Sequence, residues 1–244
     1  MIRANLAVLN GWAMPRAVWG DFVDRLDVQG EVTFVDLNRA FDTEQWLSYL
    51  DARVNEPAVW LGWSLGGMLA LAAAQAFPDK CLGLALINST PCFVKKTDWP
   101  CGQPPGMLEN MEKLVNTGSS SLIRRFSVLQ TLGSPEARAD SRLLQAMIDG
   151  HDAVYRREVL LAGLRLLGDL DLRRAMAGLP VPLKIILGSE DNVVLASQEG
   201  LTSVNPDVSI SVVNGMGHLP FMYFAARVAG ELSAFVRSFT GESA

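Results

Sequence analysis

Short, unbroken apolar runs recur along the chain, separated by longer stretches with helical spacing. Leu6–Leu9, Val32–Val35, Ala58–Leu61, Leu82–Ile87, Leu183–Leu187 and Val208–Val213 read as strands. They are continuous rather than alternating, the pattern of strands buried on both faces of a parallel sheet. Helices fit between them at 16–27, 43–54, 66–77 and 192–204, with a last one at 224–239. Pro78 and Pro206 follow two of these, where a helix must stop. The alternation predicts a doubly wound α/β fold with a mostly parallel sheet of about six strands. From 93 to 178 the alternation breaks. Helical patterns continue there without a convincing strand, opened by Pro100-Cys101-Gly102 and Pro104-Pro105-Gly106 and closed by Gly178-Leu179-Pro180. An insertion after a strand of such a sheet lies over its C-terminal edge, where ligands bind. The expectation is one domain with a core of residues 1–92 and 179–244 and a helical cap of residues 93–178.

Composition narrows the class. With 244 residues, 49% of them apolar, the chain can bury a full core. No apolar run is long enough to span a bilayer, and Met1 to Leu9 reads as a leading strand rather than a signal peptide. Cys81, Cys92 and Cys101 are odd in number and lack metal spacing, so a reduced, cytoplasmic protein is expected. A net charge of −5 argues against nucleic-acid binding.

The chemistry concentrates at Gly62-Trp63-Ser64-Leu65-Gly66, between an apolar run and an Ala/Leu-rich helical run. In that context G-x-S-x-G is a nucleophile elbow, a tight turn that lifts the serine hydroxyl clear at the end of a strand. A serine hydroxyl needs a base, most often histidine. The chain has two histidines, His151 in the cap and His218 in a loop after the last strand. Position favours His218 as base and leaves His151 as a cap surface residue. Asp191 directly follows a predicted strand and completes the chain order Ser64, Asp191, His218 used by this fold. Glu190, one residue earlier, and Asp36, at another strand end, are the competing acids. Asp191 also suits the cap of a following helix. The backbone N–H groups of Leu65 and Trp12 are the expected oxyanion donors.

These strings resemble the α/β-hydrolase superfamily over nearly the whole chain. More narrowly, the chain is similar to the pimeloyl-[acyl-carrier protein] methyl ester esterases of biotin synthesis. The narrower resemblance rests on Asn10-Gly11-Trp12 with Trp19, Trp60 to Gly67, Ser89-Thr90-Pro91-Cys92-Phe93 with Asp98-Trp99-Pro100, Arg125-Phe126, Leu129 to Gly133, Ala137-Arg138 and Arg142. It implies Ser64, Asp191 and His218 as a triad, and Trp12 and Leu65 as oxyanion or substrate contacts. Phe126, Ser127, Val128, Leu129 and Gln130 would line an acyl site, and Arg125, Arg138 and Arg142, with Arg124 nearby, would hold an acidic carrier protein. Arg138 and Arg142, spaced i, i+4, share a helix face whatever their role. The chain departs from the family in starting almost directly at Leu6, in having Asn10 where a histidine is usual, and in reading Asn38-Arg39-Ala40-Phe41 where Pro-Gly-x-Gly is usual.

The resemblance implies hydrolysis of a methyl ester on a pimeloyl chain borne by acyl-carrier protein. Trp63, Phe126 and Trp99 would be among the walls of an apolar slot, and no metal or cofactor would be needed. A general carboxylesterase or thioesterase for small free esters, and a non-catalytic hydrolase-fold binder, are the rival readings.

Overall fold

The computed structural model describes residues 4–26, 28–149 and 155–240, with side chains throughout except at 119–124 and 239–240. The apolar runs pair side by side. β1 (Asn5–Leu9), β2 (Val32–Val35), β3 (Ala58–Trp63), β4 (Cys81–Ile87), β5 (Leu183–Gly188) and β6 (Ser209–Val213) form one sheet in the order β2-β1-β3-β4-β5-β6. Every pairing is parallel. β3 is buried at each of its six positions, which is why its sequence carries no polar alternation.

The strand order fixes the place of the site. From β1 the chain moves to one side to make β2, then returns to the other side of β1 to make β3. The two connections therefore leave β1 and β3 in opposite directions and open a crevice at their C-terminal ends. The loops Asn10–Ala13 and Trp63–Leu65 emerge there.

Helices cover the sheet: α1 (Thr43–Arg53), α2 (Leu65–Ala76), α8 (Gln198–Val204) and α9 (Ala225–Thr240). α1 starts with a capping box, Asp42 accepting from the Gln45 N–H while the Gln45 side chain accepts from the Asp42 N–H. Between β4 and β5, which are neighbours in the sheet, lie α3 (Pro105–Thr117), α4 (Ser119–Thr131), α5 (Ala137–Ile148), α6 (Arg157–Asp169) and α7 (Arg173–Ala177). α4 packs against both α3 and α5, and α3 packs against α6. No described helix is long and apolar enough to cross a membrane.

Two expected helices change form. The stretch 16–27 makes two 3₁₀ turns, Arg16–Trp19 and Val23–Leu26, broken at Gly20, whose φ is +49°. The stretch 192–204 is helical only from Gln198. Ser197 caps that start by accepting from the Gly200 N–H, and the N–H groups of Val193 and Val194 turn instead to the Asp191 carboxylate.

Candidate active site

The chain bends sharply at Ser64, between β3 and α2. Ser64 has φ +55° and ψ −125°, in the region that side chains other than glycine avoid. Its neighbours make this possible. A Cβ at Gly62 would overlap the Gly67 backbone, and one at Gly66 would overlap the carbonyls of Leu9 and Asn10. The elbow thus sits hard against both β1 and α2. Ser64 starts α2 without using its side chain as a cap, so the hydroxyl is not spent on the helix. Its carbonyl accepts from the buried Ser89 hydroxyl at 2.7 Å, which holds the bend from the β4 side.

The loop after β1 lies directly over this serine. A Cβ at Gly11 would stand 3.3 Å from Ser64 Cβ and 3.0 Å from the Trp63 ring. Asn10, fully buried, fixes the loop: its amide donates to Asp36 at 2.6 Å and its oxygen accepts from the Trp19 indole at 2.7 Å. Asp36 is thereby engaged with Asn10 and with the Arg16 backbone N–H. The Trp12 indole donates to the Leu160 carbonyl of α6 at 3.0 Å and meets Phe126 of α4 edge-on, with centroids 5.0 Å apart. At the start of α2 the N–H groups point toward Ser64 and favour negative charge.

His218 and Asp191 come together across two loops. His218 Nδ1 lies 2.8 Å from Asp191 Oδ2, with both side chains almost fully buried. Asp191 Oδ1 accepts from the N–H groups of Val193 and Val194 at 2.8 and 3.0 Å. A carboxylate held this way accepts a hydrogen bond from Nδ1–H, fixing the proton on Nδ1 and leaving Nε2 as an acceptor. Nε2 is buried and has no hydrogen-bond partner among the described residues. Glu190 does not share this contact; its carboxylate accepts from the neighbouring Ser189 hydroxyl.

The base loop is braced by Asn88, to which the sequence assigned no role, and by Trp63. Asn88, at the end of β4 with φ +44°, donates to the carbonyls of Gly217 and His218 at 2.8 and 2.9 Å and accepts from the Gly188 N–H. Asparagine tolerates this left-handed backbone, and its place at a strand end before Ser89 is the signal that could have marked it. Trp63 donates its indole N–H to the His218 carbonyl at 3.0 Å, and its ring lies beside the imidazole. It therefore braces the His218 loop. Trp99 donates to the Cys92 carbonyl and lies under Arg173.

The run 126–130 does not share one surface, because it is helical and successive residues turn about a hundred degrees. Phe126, Ser127 and Gln130 are buried, and the Gln130 carbonyl accepts from the Leu219 N–H. Val128 and Leu129 are largely exposed on opposite flanks of α4. Leu129 joins Phe126, Met107, Met111 and Leu114 in an apolar groove of about 530 Å³ between α3 and α4, with Arg125 beside it. Val128 joins Leu132, Arg138 and Arg142 in a second groove, of about 590 Å³, between α4 and α5. The cap arginines are thus divided between two grooves. The Arg124 side chain and His151 lie outside the described residues.

Other nucleophiles are poorly placed. Burial pushes the Cys81 thiol up to about 12 and raises Cys92 as well, so both stay protonated. No group of metal-ligating side chains occurs among the described residues.

Residues 7–231 match the alpha/beta hydrolase family. The chain is 34% identical over 242 residues to a pimeloyl-[acyl-carrier protein] methyl ester esterase of Xylella fastidiosa strain M23, spanning 95% of this chain and 94% of that one. It is 35% identical over 241 residues to a protein of the same name from Stenotrophomonas maltophilia, spanning 95% and 92%. Among solved structures, a bromoperoxidase from Bacillus anthracis shares the fold with a TM-score of 0.83 over 96% of this chain and 92% of that one, at 15% identity.

Proposed function

The chain belongs to the alpha/beta hydrolase family, and on that premise we propose that it is a serine carboxylesterase that frees the methyl group from a pimeloyl methyl ester carried on acyl-carrier protein. The observation that carries the reading is the buried imidazole of His218. Nδ1 is held by Asp191, Nε2 is left without a partner, and the strained Ser64 bend stands at the same sheet edge.

In this mechanism His218 Nε2 takes the Ser64 proton as Oγ attacks the ester carbonyl. The oxyanion is met by the N–H groups of Leu65 and Trp12. His218 then gives its proton to the departing methoxide, and methanol leaves an acyl group on Ser64. Water, deprotonated by His218, releases the free carboxylate and restores the hydroxyl. Asp191 stays ionised and steadies the imidazolium.

The groove beside Leu129 and Phe126 suits the methylene chain of the substrate: it is apolar and lined by Phe126, which touches Trp12. Arg125 beside that groove, and Arg138 and Arg142 in the second one, suit an acidic carrier. A carrier-bound biosynthetic substrate fits a cytoplasmic enzyme, as do three unpaired thiols.

Growth tests the assignment. The gene should restore biotin-independent growth to cells lacking their own methyl ester esterase, and Ser64→Ala should not; failure of the unaltered gene, with folded protein present, contradicts it. Charge reversal tests docking. Arg138→Glu with Arg142→Glu should slow the carrier-bound ester by roughly ten-fold or more through KM while sparing a small free ester; an equal effect on both refutes docking there.

A further inference from the structure

Cap helix α6 carries a glycine at a point where the helix meets the oxyanion loop. Gly163 is buried, and a Cβ there would overlap Cδ1 of Trp12, stand 2.8 Å from Trp12 Nε1 and come within 3.5 Å of Leu65 Cδ2. One turn earlier, the Leu160 carbonyl accepts the Trp12 indole N–H at 3.0 Å. The ring is also met by Phe126 of α4. The indole is therefore held by a hydrogen bond, an aromatic edge and a notch left by a missing side chain. Glycine inside a helix costs about 1 kcal/mol relative to alanine, so this position gives up helix stability at the place where a methyl group would strike the ring.

We propose that Gly163 is a positioning residue for the oxyanion pocket: the notch it leaves in α6 seats the Trp12 indole and thereby sets the direction of the Trp12 backbone N–H over Ser64. The role rests on the serine-esterase reading, in which Trp12 and Leu65 supply the oxyanion donors. α6 touches the side chains of both, so it is the cap element that fixes their spacing. The loop has little freedom to absorb a displaced ring. Asn10 is locked to Asp36 and Trp19, Gly11 lies against Ser64, and Ala13 is already in the left-handed region at φ +56°. Pushing the indole out must turn the peptide that carries the donor.

Gly163→Ala tests this against Gly168→Ala on the same helix, where the added methyl meets only Leu108 Cδ1 at 3.4 Å. With a pimeloyl methyl ester substrate, Gly163→Ala should lower kcat by roughly ten- to hundred-fold and leave KM within about three-fold, because an oxyanion donor acts in the transition state. A trifluoromethyl ketone, which takes up Ser64 Oγ and leaves an oxyanion in the pocket, should lose affinity by the same factor as kcat/KM. Gly168→Ala should leave all three unchanged. In a Trp12→Ala background the ring is gone, and adding Gly163→Ala should cost nothing further in kcat or in folded yield. That pair also carries the test if Gly163→Ala alone does not fold. A loss equal in both backgrounds, or a Gly163→Ala enzyme with normal kcat and normal ketone affinity, overturns the positioning role while leaving the esterase intact. Wild-type protein that neither cleaves the ester nor takes up the ketone overturns the esterase reading itself, and this role with it.

Discussion

Asp191 divides its two oxygens between two partners, the His218 ring on one side and the Val193 and Val194 N–H groups on the other. The second set of bonds aims the first, since a carboxylate pinned at one oxygen cannot swing away from the imidazole. In the proposed mechanism Asp191→Asn should therefore drop kcat by roughly 10³–10⁴-fold, because the amide presents Nδ1 with a donor and favours the wrong tautomer. Glu190→Gln should change kcat little, since Glu190 bonds Ser189 instead. Steady-state kinetics on any cleavable ester checks both, and the reverse ranking would contradict the assignment of the acid. Chain order was enough to bring Asp191 and His218 forward in the sequence. Asn88 was not legible, because its role depends on a left-handed backbone at a strand end and on two carbonyls about 130 residues away.

Single elements show where local pattern stops being informative. The run 16–27 has helical spacing, yet it is pulled into two 3₁₀ turns as Trp19 reaches Asn10 and packs on Phe221. The start of the 192–204 stretch is claimed by Asp191, so the helix waits for the Ser197 cap. In the first case tertiary contacts outweigh a weak local preference; in the second a local side-chain-to-backbone hydrogen bond does. The segment between β4 and α3 illustrates the same rule without regular structure. It is tied to the start of α7 by a bridge from Cys92 to Asp171 and by Asp171 bonding both Arg173 and Lys96. Arg173 foremost, then Lys96, holds the Asp171 carboxyl well below the usual carboxylate range. A depressed folded value gives stability that is present above the unfolded value, about 3.9, and is lost as pH falls through the folded one. Asp171→Asn should thus cost about 1 kcal/mol at neutral pH, with the gap to wild type narrowing below about pH 4. Denaturation followed across pH checks this; a gap that stays constant into acid would show that the loss is steric.

At the scale of the molecule, the sheet supplies both halves of the candidate site and the helices between β4 and β5 pack over them. The reversal of strand order around β1 brings the Asn10–Ala13 loop and the Ser64 bend to one crevice, and β5 and β6 deliver Asp191 and His218 to the same edge. The cap then closes on both halves: α6 holds Trp12, while α4 accepts the Leu219 N–H beside His218. The run of apolar strands made the sheet readable in advance, since buried parallel strands carry their own signature. The cap's two grooves were not readable, because they depend on how α3, α4 and α5 pack and on which flank of α4 each residue takes. The central claim is that Ser64 removes a methyl ester from a carrier-bound pimeloyl chain, and mass spectrometry of that carrier tests it most directly. Incubated with the wild-type enzyme, pimeloyl-[acyl-carrier protein] methyl ester should convert to the free acid with the thioester to the carrier intact, and Ser64→Ala should leave it unchanged. A wild-type enzyme that leaves the methyl ester in place, or cuts the thioester instead, would contradict the account.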